Sequence, residues 1–109
     1  MPYDERLAAR VREILAARDD VTERRMFGGL TFMVGGHMCC GVLGERLVLR
    51  LGDEGASEAL SEPFTHPMDF TGRPAKGFVY VDAEGARTRR AMQKWLSRAV
   101  RSTTTLPPR

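Results

Sequence analysis

Glycine pairs divide the middle of this chain into short apolar runs, and their spacing constrains the fold more than any other feature. The runs cover residues 30–34, 37–42 and 46–51, and they are separated by Gly35-Gly36 and by a turn at Gly44-Glu45. Such spacing is typical of hairpins, because glycine adopts the positive φ angles that tight turns need. The sequence therefore predicts three strands of an antiparallel meander.

The third run indicates which side of this sheet is buried. Leu47, Leu49 and Leu51 alternate with Arg46 and Arg50. Since successive side chains of a strand point to opposite faces, the leucines would lie in the core. The opposite face is predicted to lie largely in water.

Amphipathic helices flank the predicted strands. Apolar residues recur at helical spacing over residues 4–18 and again from residue 83 or 84 to residue 101. A further strand is predicted over residues 77–81, whereas the proline-rich segment 63–74 is predicted to be a loop. We expect an α+β fold, in which a mostly antiparallel sheet is covered on one face by the N- and C-terminal helices.

The chain length of 109 residues fits one domain. We assign residues 1–101 to that domain and residues 102–109 to an extended C-terminal tail. The uncharged apolar stretches are far shorter than the roughly 20 residues that span a bilayer, so no membrane contact is predicted. The first residues are charged and lack the apolar region of a signal peptide, which favours a cytoplasmic location.

Basic residues are concentrated near the C-terminus. The formal net charge is +3, and no acidic residue follows Glu84. At about 100° per residue, one stripe of the last predicted helix holds five cationic residues: Arg87, Arg90, Lys94, Arg98 and Arg101. A cationic stripe can track the phosphates of a nucleic acid or bind an acidic protein, although the same pattern also fits a solvated helix face. Trp95 lies on the opposite stripe and is predicted to be a core residue.

Soft metal ligands are few. In a regular strand His37 and Cys39 share a face while Cys40 points away, which leaves two ligands where zinc needs at least three. His37 and Cys39 are therefore weak metal candidates, and packing of the cysteines in the core is the alternative. We predict no bound metal and no cofactor.

A short polar loop is a second candidate site. Asp69, Thr71, Arg73 and Lys76 lie close together in a segment that also contains glycines. Backbone N–H groups and the two cations could hold an anion there. The alternative is structural, with Asp69 pairing with Arg73 at the entry to a strand.

Several segments carry a family resemblance. They are residues 25–38, which include Met26-Phe27-Gly28-Gly29; residues 49–52; residues 68–77, which include Asp69-Phe70-Thr71-Gly72-Arg73-Pro74; Trp95; and residues 106–109. In this order they resemble the N-terminal domain of the TfoX/Sxy family. The resemblance implies a two-layer α+β domain whose namesakes regulate bacterial competence as transcriptional coactivators and not as enzymes. Those namesakes carry a further C-terminal helical domain, which is absent from these 109 residues.

The sequence thus favours a non-enzymatic regulatory domain that acts through protein contacts or through weakly specific nucleic-acid contacts. A homodimer that buries one face of the sheet is a further expectation. The alternative function is that of an enzyme binding a small ligand or metal through His37, Cys39 and the loop from Asp69 to Lys76.

Overall fold

A computed structural model describes residues 3–26, 28–70 and 73–106, and the side chains of all of these except residues 70, 73 and 74. The helices are α1 (Glu5–Leu15), α2 (Gly52–Ala59) and α3 (Arg89–Thr104). The strands are β1 (Val21–Met26), β2 (Gly29–Val34), β3 (His37–Leu43), β4 (Arg46–Arg50), β5 (Thr65–Phe70) and β6 (Arg73–Val81). A short 3-10 turn, Ala83–Ala86, precedes α3.

The described strands form one antiparallel sheet in the order β1-β2-β3-β4-β6-β5. Tight turns join β2 to β3 and β3 to β4, as the glycine spacing predicts. Strand β6 pairs with β4, and α2 fills the connection between β4 and the β5–β6 hairpin. The predicted α+β class and antiparallel sheet are confirmed.

One face of the sheet carries the main core. Phe32, Leu47, Leu49 and Val79 of the sheet are fully buried together with Met92 of α3. Buried residues of α1 and α2 belong to the same cluster, so all three helices cover this face.

The helix starts are fixed by side chains. The Asp4 carboxylate accepts hydrogen bonds from the N–H groups of Arg6 and Leu7 at 2.8 and 3.2 Å. The Thr88 hydroxyl accepts one from the Ala91 N–H at 3.0 Å. Each cap satisfies N–H groups that have no acceptor within the first turn.

The opposite face of the sheet is less exposed than the alternation in β4 predicts. Val48, Met68 and Tyr80 are buried there as a second apolar cluster. Arg46 is stacked over Tyr80 and Arg50 over Phe78, at 3.9 and 5.1 Å from the ring centroids. The prediction of a largely wet face was therefore wrong, because the arginines cover aromatic rings of the neighbouring strand.

Strands β1 and β5 were not predicted. Segment 63–74 contains β5 where a loop was expected. The predicted strand at 77–81 is the end of β6, which begins at Arg73. The β5 strand tolerates Pro67 because it lies at the edge of the sheet, where an N–H can be absent from the ladder. The other edge strand, β1, has no buried residue and hence no apolar alternation.

The helix boundaries also differ from the predictions. Helix α1 ends at Leu15, and α3 starts after the Thr88 cap and continues to Thr104. Residues 102–104 are therefore helical rather than extended. Within the described residues, no helix has the length and apolar character needed to cross a membrane.

Candidate functional site

Helix α3 presents a cationic surface whose members differ in their contacts. Arg90, Lys94 and Arg101 are exposed on its solvent side, and none of the described carboxylates pairs with them. At about 1.5 Å per residue, they span about 16 Å along the helix axis. We refer to Arg90, Lys94 and Arg101 as the α3 cation row.

The other two predicted members of the stripe are placed differently. Arg87 is exposed but precedes the helix, and its carbonyl accepts a 2.9 Å hydrogen bond from the Arg10 guanidinium. Arg98 is turned away from the row: it donates to Glu62 at 2.8 Å and lies 4.5 Å from the centroid of the Trp95 ring. Both contacts are made across elements distant in sequence, so helical periodicity alone did not reveal them.

Trp95 anchors the buried side of α3. Its side chain is 6% exposed, and its indole N–H donates to the Gly85 carbonyl at 3.2 Å. The prediction that Trp95 belongs to the core is confirmed. Because this residue, Met92 and Leu96 are buried in the main core, the cation row sits on a firmly docked helix.

The cysteines do not point in opposite directions. The pairing of β2 with β3 shifts register, with Cys40 opposite Phe32 and Met38 opposite Met33, so Cys39 is an extra residue in β3. Both Cys39 and Cys40 are fully buried in the main core. The expectation that Cys40 points away was wrong, because a bulge changes the alternation of side chains.

Burial also governs the chemistry of these thiols. The hydrogen bond with Cys39 and complete burial raise the pKa of Cys40 well above its ordinary value of 9.0, so this thiol is neutral near pH 7. His37 is half-buried at the start of β3, and His66 contacts Asp82 at 2.7 Å on another part of the sheet. The described residues contain no group of three or more potential ligands that could hold a metal ion.

The predicted anion loop is only partly described. Thr71 and the side chain of Arg73 lie outside the described residues, so the expected pairing of Asp69 with Arg73 stays a prediction. Asp69 is exposed on β5. Lys76 lies 3.4 Å from the Asp53 carboxylate, at the start of α2.

The model of one protein family matches most of the chain. It is that of the TfoX N-terminal domain, and it covers residues 13–103, from α1 to the last turn of α3. The chain belongs to the TfoX N-terminal domain family. A search among curated proteins finds none that matches it.

Segments that carry the resemblance to the TfoX N-terminal domain meet at one end of the sheet. The Leu51 N–H, from segment 49–52, donates to the Gly77 carbonyl, from segment 68–77, at 2.8 Å. These two segments line a surface cleft together with the end of α3 and Leu106. No sequence pattern predicts this cleft, because Arg50 and Ser102, two of its polar residues, are distant in sequence and come together only in the fold.

Proposed function

We propose that this member of the TfoX N-terminal domain family is a non-enzymatic regulatory domain that binds nucleic acid with weak sequence specificity through the α3 cation row. The observation that carries the proposal is the separation of the α3 cations into two sets. Arg89 and Arg98 are held by carboxylates, whereas Arg90, Lys94 and Arg101 point to solvent without one among the described residues.

The charges of the row favour a polyanion over a single small ligand. The three like charges span about 16 Å along the helix. A duplex of that length carries about ten phosphate charges on its two strands. Lysine and arginine side chains that neutralise phosphates release bound counterions, and this release drives binding. No carboxylate of the described chain competes with the phosphates at these side chains.

The rigid packing of α3 against the sheet supports the same function. The Thr88 cap, the Trp95 hydrogen bond and the burial of Met92 and Leu96 fix the helix on the sheet. The row therefore needs little ordering of the backbone when it binds, which limits the entropic cost of association. A row of phosphate contacts positions a protein on nucleic acid without reading the bases, which accounts for weak specificity.

Charge reversal tests the proposal. The double variant Arg90→Glu/Lys94→Glu should weaken binding of a labelled DNA duplex at least about 10-fold at low salt, measured by fluorescence anisotropy. The matched control is Arg24→Glu/Arg25→Glu on the edge strand β1, where both arginines are exposed. Both variants change the net charge equally and differ only in where the charges lie. Because β1 lies outside the α3 cation row, the control should retain most of the affinity.

The results separate the partner classes. Equal losses in the two double variants would show that net charge acts without a defined surface, which contradicts the proposal. Absence of DNA binding by the wild-type chain, combined with binding of an acidic protein that Arg90→Glu/Lys94→Glu abolishes, would assign the row to a protein partner instead.

A further inference from the structure

The cleft at the end of the sheet carries an inference independent of the α3 cation row. Its polar lining comes from the end of β4 (Arg50), the start of α2 (Asp53), the start of β6 (Lys76) and the end of α3 (Ser102 and Thr105). Gly52, Gly77, Phe78 and Leu106 complete the lining. The cleft has a volume of about 270 Å³ and is open to solvent.

Arg50 is held in place by an aromatic ring. Its guanidinium carbon lies 5.1 Å from the centroid of the Phe78 ring, and the side chain is half-buried. Within the described part of the chain, no carboxylate or carbonyl accepts a hydrogen bond from it. Stacking fixes the plane of a guanidinium but leaves its N–H groups, which match the oxygens of phosphate, available at the edge.

Ser102 differs in the same way from the hydroxyl residues that follow it. Thr103, Thr104 and Thr105 each donate a hydrogen bond to a carbonyl of their own helix end, at 2.8, 3.3 and 2.7 Å. The half-buried Ser102 hydroxyl has no such partner among the described residues. It lies 3.5 Å from the point where a Cβ on Gly52 would stand, so it faces the glycine floor of the cleft.

The floor itself requires glycine. Gly52 and Gly77 have φ angles of 76° and 83°, a region that other residues rarely adopt. A Cβ on Gly77 would lie 3.4 Å from the Gly52 backbone, so the backbone segments at Gly52 and Gly77 pack directly against each other. A ligand in the cleft can therefore approach the backbone closely.

Asp53 sets the charge balance of the cleft. Its carboxylate lies 3.4 Å from Lys76 Nζ, and both side chains are well exposed. This exposed pair contributes little energy and can rearrange. None of the described carboxylates pairs with Arg50, and Lys76 also lines the cleft.

We propose that this cleft binds a phosphate group, with Arg50 and Ser102 as its primary donors and Lys76 as an additional cation. The phosphate belongs either to a small phosphorylated ligand or to the backbone of a nucleic acid. Lys76 was part of the predicted anion loop. In the structure it lines the same cleft as Arg50 of β4 and Ser102 of α3.

Thermal unfolding of the full chain in inorganic phosphate, compared with chloride at equal ionic strength, tests the proposal. Saturating phosphate should raise the melting temperature by roughly 5 °C, because a ligand that binds only the folded state stabilises it. Arg50→Gln and Ser102→Ala should each lose most of this shift. Arg46→Gln is the matched control. Arg46 lies in β4 on the same face as Arg50 and also stacks on an aromatic ring, that of Tyr80, but it does not line the cleft.

The outcomes are distinct. A phosphate-specific shift that is retained in Arg46→Gln and lost in Arg50→Gln supports the cleft, and dimethyl phosphate then identifies the source. A response to phosphate alone indicates a terminal phosphate, whereas a response to both indicates a phosphodiester backbone. Equal stabilisation by chloride and phosphate, or an equal loss in Arg46→Gln and Arg50→Gln, overturns the proposal. Neither result depends on whether Arg90 and Lys94 bind DNA.

Discussion

Arg98 of α3 donates a 2.8 Å hydrogen bond to Glu62, in the turn that follows α2. The guanidinium also lies over Trp95, and both partners of the ion pair are mostly buried, at 21% and 33% side-chain exposure. This contact joins α3 to the turn that follows α2. It also removes Arg98 from the cationic surface that helical spacing predicts.

Removal of Arg98 should therefore affect stability more than binding. Arg98→Ala is expected to lower the free energy of unfolding by about 1–2 kcal/mol, through loss of the hydrogen-bonded ion pair and the cation–π contact. Arg89→Ala is the control, because the Arg89–Glu13 pair is 61% and 65% exposed and should contribute less than about 1 kcal/mol. Urea titration of both variants measures the difference, and equal losses would contradict the structural role of Arg98.

Acid should weaken the fold partly through Glu23. The Arg12 guanidinium hydrogen-bonds to Glu23, at 2.6 and 2.8 Å, and lowers the pKa of that carboxyl below its ordinary value of 4.5. Because the folded-state pKa is the lower one, this contribution to stability is fully present above pH 4.5 and is lost as pH falls through the folded-state value.

Glu23→Gln provides the test. The free energy of unfolding should decline less steeply below pH 4.5 in this variant than in the wild-type chain. Chemical denaturation at several pH values measures both slopes. Identical slopes would show that the Arg12–Glu23 pair contributes nothing to acid sensitivity.

The two thiols should be unreactive in the folded protein. The raised pKa of Cys40 keeps this thiol protonated. The hydrogen bond with Cys40 lowers the pKa of Cys39, so Cys39 is protected by its complete burial. A disulfide-exchange reagent at pH 8 should modify them only as fast as the core opens, and both should react at once in denaturant. Rapid modification of a thiol under native conditions would show that the main core around β3 opens far more readily than its packing indicates.

The sequence is most informative where local chemistry decides the structure. The glycine spacing predicts the turns around β3, and apolar periodicity predicts α1 and the buried side of α3. Strand β1 was missed because an edge strand exposed on both faces has no apolar alternation, and β5 was missed because Pro67 resembles a loop residue. The bulge at Cys39 depends on pairing with β2, which spacing within β3 does not reveal.

The candidate sites divide in the same way. Helical periodicity predicts Arg90, Lys94 and Arg101 on one side of α3, and all three are exposed. It also included Arg98, whose partner Glu62 is distant in sequence. The phosphate cleft combines Arg50, Lys76 and Ser102 from three elements, so only the fold brings these residues together.

The salt dependence of DNA affinity tests the central claim most directly. Three phosphate contacts made by the α3 cation row predict a slope of about −2.7 for the logarithm of the association constant against the logarithm of salt concentration on duplex DNA. Arg90→Glu/Lys94→Glu leaves only the Arg101 contact and should reduce that slope to about −0.9 or less in magnitude. Absence of binding at low salt, or a wild-type slope that this variant leaves unchanged, would contradict the account.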